Sequence, residues 1–146
     1  MSESVYTRRL NGPILWLAVA AALAVTAALA PMLVDSNPAA VIFALALVGL
    51  TVACVAMRTT ITVSDEAVTM SVLGFSHSVN LSTITSVQVG PDTGLIEGAG
   101  PRAVGNATAY IVGGPTVQID TRTTTYLASA ERPEEVVADI DARRQN

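Results

Sequence analysis

The sequence contains no lysine, one cysteine, one histidine and six aromatic residues among its 146 positions. A single cysteine (Cys54) excludes an intramolecular disulfide, and one histidine (His77) without a second cysteine gives no zinc-ligand pattern. Without lysine there is no Walker-type phosphate loop, and there is also no Gly-x-Ser-x-Gly nucleophile elbow. We therefore predict no catalytic residue, no metal site and no cofactor, and the chain is not expected to be an enzyme.

Charge is distributed unevenly along the chain. Residues 1–58 carry three arginines and two carboxylates, whereas residues 59–146 carry five arginines and ten carboxylates. Nucleic-acid binding requires clustered basic side chains to replace condensed counterions, so the acidic second half argues against a nucleic-acid partner. It also argues against docking of this half on anionic lipid headgroups, which favours polybasic segments.

Two long uncharged runs occupy the first half. They cover residues 12–34, in which Thr26 is the polar residue, and residues 38–57. A helix needs about 20 apolar residues to cross a bilayer, and both runs meet that length. We therefore predict that residues 1–58 form an N-terminal tail and a two-helix transmembrane hairpin.

Prolines and arginines define the geometry of this hairpin. Pro31 is expected to end or kink the first helix, and Pro38 can begin the second, because a proline lacks an N–H donor. Arg8 and Arg9 precede the first span and Arg58 follows the second. By the positive-inside rule we predict a multi-pass protein of the plasma (inner) membrane with both termini in the cytoplasm.

Small residues recur at helical spacing in the second span. Ala46, Gly49, Ala53 and Ala56 follow one another at three- and four-residue steps and so share one helix face. Small residues let helix backbones approach closely where lipid supplies no hydrophobic driving force. We predict close packing along this face, either within the hairpin or against a membrane-protein partner or second copy.

After Arg58 the pattern changes to alternation of apolar and polar residues, which is typical of half-buried strands. We predict that residues 59–146 form a cytoplasmic β-rich domain, with a Gly/Pro-rich loop at residues 90–106 and a C-terminal helix at residues 132–144. The fold class is thus a membrane hairpin plus an all-β (α+β) domain, a bent antiparallel sheet of about seven strands capped by that helix. The predicted strands are 59–64, 67–73, 77–81, 83–89, 108–112, 116–120 and 124–128.

This element order, from Thr59 to Arg144, resembles the pleckstrin-homology-like architecture. The whole chain also resembles a family of small two-span actinobacterial membrane proteins of unknown function. The similar segments are residues 6–10, residues 102–111 and residues 126–135. That family usually has several tryptophans at the membrane boundary, whereas this chain has Trp16. The resemblance implies a bacterial source and assigns no catalytic residue.

The function expected from these features is that of an interaction module or accessory subunit of a larger membrane assembly. An edge strand or the loop at residues 90–106 would contact the partner. Within the loop we select Leu95, Ile96, Glu97 and Arg102, since loops on a rigid scaffold concentrate binding residues. The alternative for this loop is a mobile linker in which Leu95 and Ile96 pack against the sheet or the membrane surface. A membrane-bound sensor of a small ligand or lipid is the alternative.

Overall fold

The computed structural model describes residues 3–34, 37–94 and 98–145. The chain divides into two compact units, a helical unit of residues 10–57 and a sheet unit of residues 1–9 and 58–146. The helices are α1 (Pro13–Ala28), α2 (Ala30–Val34), α3 (Pro38–Ala56) and α4 (Pro133–Arg144). The strands are β1 (Ser4–Arg9), β2 (Arg58–Val63), β3 (Ala67–Val72), β4 (Phe75–Asn80), β5 (Ile84–Val89), β6 (Gly100–Val104), β7 (Ala107–Ile111), β8 (Thr116–Thr121) and β9 (Thr125–Ser129).

The helical unit is the predicted hairpin. One residue, Leu29, separates α1 from α2. Pro31 causes this break, because it cannot donate a hydrogen bond to the preceding turn. Pro38 begins α3, and the Asn37 side chain accepts hydrogen bonds from the backbone of Ala39 and Ala40. Among the described residues, α3 has the length and hydropathy of a membrane span, and α1 is a shorter apolar helix. The predicted turn residues Asp35 and Ser36 lie outside the described part.

The two long helices pack along a regular seam. The less exposed residues of α3 recur at alternating three- and four-residue steps, as do those of α1, which is the spacing of helices packed side by side. Thr26 and Thr51 both lie on this seam, and each hydroxyl donates to a carbonyl of its own helix (2.8 Å). The seam residues are Leu15, Val19, Ala22, Thr26 and Leu29 on the first helical segment, and Ala40, Ala44, Leu47, Thr51 and Cys54 on α3.

The first sheet has the strand order β1-β2-β3-β4 and is antiparallel throughout. The sequence prediction placed residues 1–9 in a tail attached to the hairpin, but Ser4–Arg9 pairs with β2 over its full length. In this segment Ser4, Tyr6 and Arg8 alternate with more exposed residues. Neither set is consistently apolar, so a search for alternating apolar residues does not detect the strand. Sheet formation here depends on the neighbouring strand.

The second sheet has the order β5-β8-β9-β7-β6. Strands β7 and β9 run parallel, so the prediction of one antiparallel sheet of about seven strands is wrong in this respect. The described residues contain nine strands in two sheets. Strand β6 lies inside the segment that was predicted to be a loop, because Gly100 and Pro101 in its sequence are typical of turns and not of strands.

The core of the sheet unit lies between the sheets and beneath α4. Alternate residues of β2 and β3, such as Ile61 and Met70, are fully buried, as are Ile111 and Ile119 of the second sheet. Helix α4 was predicted from its Pro133 start, acidic first turn and basic last turn, and all three features are present. It packs on β5 and β8. The described chain is therefore a mixed α+β protein with two packed helices, two sheets and a C-terminal helix on the second sheet.

Candidate functional site

Strand β1 is held in the sheet unit by polar side chains. Ser4, Tyr6 and Arg8 alternate with exposed residues and point to the inner side of the first sheet. The Tyr6 hydroxyl donates to the Asp139 carboxylate of α4 (3.1 Å), and Ser4 Oγ accepts a hydrogen bond from Arg143 (3.0 Å). The N-terminal strand is thus fastened to the C-terminal helix, which closes the unit.

Arg143 is the centre of this cluster. Its guanidinium pairs with Asp139 (2.9 Å) one helical turn away and with Asp65 (2.7 Å) in the turn between β2 and β3, and its side chain is 11% exposed. Partial burial raises the pKa of Asp139, but hydrogen bonds from Arg143, Ser4 and Tyr6 outweigh that effect. The net result is a pKa below its ordinary value of 3.8. Burial and the Asp139 charge raise the pKa of Tyr6. With these pKa shifts Asp139 is anionic and Tyr6 is neutral at neutral pH. The hydrogen bond between them therefore helps to hold β1 against α4.

Arg8 also holds β1 in the sheet unit. Its Nε donates to the carbonyl of Gly113 (2.9 Å) and one Nη donates to Ala130 (3.4 Å). Gly114 has φ +78°, and a side chain there would collide with the Arg8 guanidinium. The β7–β8 turn therefore needs glycine at position 114 both for its backbone conformation and for the approach of Arg8.

His77 lies on the inner side of β4, which is an edge strand. Its ring stacks on Tyr126 of β9 (centroids 5.0 Å apart) and, further away, on Tyr110 of β7 (6.5 Å). Burial raises the pKa of Tyr110, with a smaller contribution from Tyr126. The stack holds β4 against the second sheet. The sequence did not indicate this contact, because the three residues come from separate strands.

Four strands form sheet edges within the described part of the chain, and they differ in protection. Strand β1 carries two arginines, β6 contains Pro101, and β5 has an irregular register and packs against α4. Strand β4 has neither a charged residue nor a proline among its six residues. Charges, prolines and covering elements are what keep a sheet edge from pairing with another chain. Strand β4 is therefore the least protected edge.

The register shows which backbone groups β4 presents outward. Val72 and Phe75 face each other across a two-residue turn, which makes them a hydrogen-bonded pair. Since such pairs alternate along the ladder, His77 and Val79 also bond to β3. The N–H and C=O groups of Ser76 and Ser78 then point away from the sheet, and the side chains of both serines are exposed.

The sequence-predicted contact residues are placed as follows. Leu95, Ile96 and Glu97 lie outside the described residues. Arg102 is exposed on β6, where its guanidinium donates to the carbonyl of Ala99 (3.0 Å) and lies against Gly98. Arg102 therefore folds back onto its own segment.

The four predicted helix-packing residues, Ala46, Gly49, Ala53 and Ala56, are exposed in the structure. Nothing lies within 4 Å of a Cβ added at Gly49. The face that packs within the hairpin is the other one, which includes Ala44 and Thr51. The small-residue face is therefore not packed within the described hairpin. Its contact with a partner or a second copy stays a prediction.

An open groove of about 350 Å³ lies between the β2–β3 turn, the Leu81–Thr83 turn and the end of α4. Both of its arginines are already paired, since Arg143 bonds to two carboxylates and Arg144 bonds to Asp141 (3.1 Å). A second polar group, which sequence reasoning missed, surrounds Asp120: hydroxyls of Thr125 and Ser86 donate to it, and the first of these bonds lowers its pKa most. The two arginines of the groove and the Asp120 carboxylate therefore have partners within the described chain.

Within residues 3–34, 37–94 and 98–145, no three potential metal ligands come together, and no buried side-chain polar atom lacks a hydrogen-bond partner. What the described part offers instead is backbone at the β4 edge and apolar side chains on the helical unit. No protein family, curated protein or solved structure was found to match this chain.

Proposed function

We propose that this protein is a non-catalytic integral membrane protein that acts as an interaction module of a larger membrane assembly. In this proposal both spans cross the plasma membrane, both termini are cytoplasmic, and the β4 edge of the sheet unit receives an extended segment of a partner protein. The observation that carries the proposal is the unprotected edge of β4. Strand addition to such an edge supplies main-chain hydrogen bonds without any catalytic group.

The membrane location is supported by the surface of the helical unit. Large apolar side chains such as Leu17, Ile42 and Leu45 are about two-thirds exposed (69%, 67% and 68%). In water such a surface would aggregate, whereas in a bilayer it contacts acyl chains. The seam threonines satisfy their hydroxyls within their own helices, as residues in a hydrocarbon layer must.

The stack of His77 on Tyr126 and Tyr110 supports β4 as the contact strand. A rigid edge loses less conformational entropy when a partner strand pairs with it, so pre-organisation favours binding. The relation to the pleckstrin-homology-like architecture and to the two-span actinobacterial family stays part of this proposal. It is supported by the hairpin and the C-terminal helix, while the parallel β7–β9 pair departs from the predicted sheet.

The partner interaction is tested by purifying the full chain in mild detergent and identifying stoichiometric companions. Ser78→Pro removes one outward N–H donor from β4, and we expect it to abolish co-purification. Ser78→Ala is the matched control, because it keeps the backbone donor and removes only the hydroxyl that bonds to Thr69 (2.7 Å). Retention of the partner by a folded Ser78→Pro protein contradicts the β4 proposal. A bound lipid in place of a protein favours the alternative of a lipid sensor.

The topology is tested by cysteine labelling in a Cys54→Ser background. A cysteine at Ser36 should react with an impermeant thiol reagent on intact cells, whereas one at the exposed Val5 should react only after lysis. The reverse pattern contradicts the proposed orientation.

A further inference from the structure

The turn between β3 and β4 contains a residue that its backbone conformation disfavours. Val72 pairs with Phe75, so the turn consists of Leu73 and Gly74, with φ values of +52° and +81°. Positive φ at both positions defines the type I′ hairpin turn, which strongly favours Asn-Gly or Asp-Gly. Leu73 is the one non-glycine residue with positive φ among the described residues. A bulky side chain is disfavoured in this conformation, so leucine is not explained by the turn itself.

Packing explains it only in part. A Leu73 methyl lies 3.6 Å from the position of a Cβ on Gly100, so the side chain covers the start of β6. Even so, Leu73 remains 50% exposed and Phe75 is 62% exposed. Two large apolar side chains therefore project into solvent from a hairpin tip whose turn favours a small polar residue. A local rule that is broken without local compensation indicates a functional constraint.

The register shows which residues lie at the same end of the sheet as this tip. The register pairs Thr59 with Val72, so Arg58 and Leu73 are the next residues beyond this pair on the two neighbouring strands. Arg58 is also paired with Arg9 of β1. We call this row, Arg9, Arg58 and the Leu73–Phe75 tip, the junction end of the first sheet. Arg58 follows the last residue of α3 by two positions, which is at most about 7 Å of chain.

We propose that the Leu73–Phe75 tip inserts into the headgroup region of the bilayer that the hairpin crosses. Arg9 and Arg58, both exposed, then lie at the level of the lipid phosphates. The headgroup region is about 5–7 Å thick on each side, so a tip at the same end of the sheet as Arg58, which follows α3 by two residues, reaches it. Apolar side chains beside arginines are the combination that binds an anionic interface. This inference rests on the membrane location proposed above.

The experiment uses the full chain with tryptophan as a depth probe, since Trp16 is its one tryptophan. In a Trp16→Phe background, Phe75→Trp is reconstituted into phosphatidylcholine–phosphatidylglycerol vesicles whose acyl chains are brominated close to the carbonyl group. We expect several-fold stronger quenching at position 75 than in a matched Val5→Trp protein. Val5 is a comparable control, because it is 60% exposed and lies in β1 four residues before Arg9.

A third probe, Val48→Trp near the middle of α3, is placed in vesicles brominated near the ends of the acyl chains and separates this inference from the membrane proposal. If position 48 is quenched and position 75 is quenched no more than position 5, the tip lies in water or against a protein, and the inference is wrong. If position 48 is also unquenched, the membrane location itself is wrong.

Leu73→Asn gives an independent readout. Asparagine is favoured in this turn, so the variant should melt at the same or a higher temperature in detergent. In vesicles, when combined with Phe75→Trp, it should nevertheless reduce the quenching of the probe at position 75, because the apolar tip is smaller and more polar. Undiminished quenching would show that Leu73 does not contribute to insertion and would overturn the role assigned to it.

Discussion

The helical unit and the sheet unit place their apolar residues in opposite ways. Among the described residues, thirteen exposed large apolar side chains lie in the helical unit and four lie in the sheet unit. In the sheet unit polarity selects which residues are buried: Ile61 and Val63 alternate with Thr60 and Thr62. In the hairpin nearly every residue is apolar, so polarity cannot select a packing face. The α3 side of the seam includes Ala40, Ala44 and Thr51, whereas the second face of small residues, from Ala46 to Ala56, stays exposed.

This contrast is what the proposed membrane location of the helical unit predicts. A water-exposed domain is stabilised by removing apolar area from water, at roughly 25 cal/mol per Å². That contribution is absent between helices surrounded by lipid, where contacts between helices replace contacts with acyl chains. Substitutions of the same type should therefore have different effects in the two units.

The largest effect is expected at Ile140 of α4, which is fully buried against the sheets. Ile140→Asp places an unpaired carboxylate in the core and should destabilise the sheet unit by about 4 kcal/mol or more. Ala138→Asp on the exposed side of the same helix is the control and should change stability little. Thermal melts of the full chain in mild detergent, followed by the strand signal in circular dichroism, measure the difference. Equal melting temperatures would mean that α4 is not needed for the fold.

The next largest effect is expected on the hairpin seam. Ala44 is 8% exposed, and Ala44→Leu should overpack the seam and destabilise the hairpin by about 1–3 kcal/mol. Gly49→Leu, on the opposite face, has open space for the side chain and should leave the hairpin intact. Unfolding by denaturing detergent measures both. If Gly49→Leu destabilises the hairpin more than Ala44→Leu does, the seam has been assigned to the wrong face.

The same Gly49 variant tests the small-residue face as a contact with another chain. If this face binds a second copy or a partner span, Gly49→Leu should lower the yield of cross-linked complexes while the hairpin remains folded. An unchanged yield from a folded variant removes the face as an interface.

A smaller effect is expected from the cluster that fastens β1. Arg143→Met leaves Asp139 and Asp65 without their guanidinium partner and loosens the N-terminal strand. Arg132→Met removes a pair with Glu135 in which both side chains are largely exposed, and such pairs contribute about 0–1 kcal/mol. We therefore expect the larger decrease in melting temperature for Arg143→Met. Equal decreases would show that β1 is held by its backbone ladder and not by this cluster.

The smallest effect is a pH dependence. The pKa of Asp139 is lower in the folded protein than its ordinary value of 3.8, so the folded state favours the ionised form. Its stabilising contribution is complete above pH 3.8 and is lost as the pH falls through the lowered value. Asp139→Asn should therefore show a weaker loss of stability than the wild type below that pH. Parallel acid-unfolding curves for the two proteins would contradict the assignment.

The sequence predicted the parts of the fold that local chemistry encodes. Pro31 and Pro38 marked a helix break and a helix start, and the charge order of α4 marked its ends, because capping and dipole effects act within one turn. Strands β1 and β6 were missed for a common reason. Tyr6 and Arg8 face inward through hydrogen bonds to distant residues, and Gly100 and Pro101 are strand residues only because β7 lies beside them.

The candidate site shows the same division. The sequence identified an edge strand as one candidate contact surface and placed His77 on a short strand at residues 77–81. It could not rank the edges, because the protection of an edge depends on which strands pair and what covers them. The stacking of His77 on two tyrosines likewise joins residues that are far apart in sequence.

By itself, then, the sequence determined two apolar helices, an acidic strand-rich half and a C-terminal helix, since each depends on the periodicity and end chemistry of a continuous segment. The tertiary structure alone decided which face of each helix forms the seam and that β1 belongs to the sheet unit. It also decided that Leu73 and Phe75 share one end of the sheet with Arg9 and Arg58. Those features depend on strand register and on contacts between distant segments, which local sequence patterns do not contain.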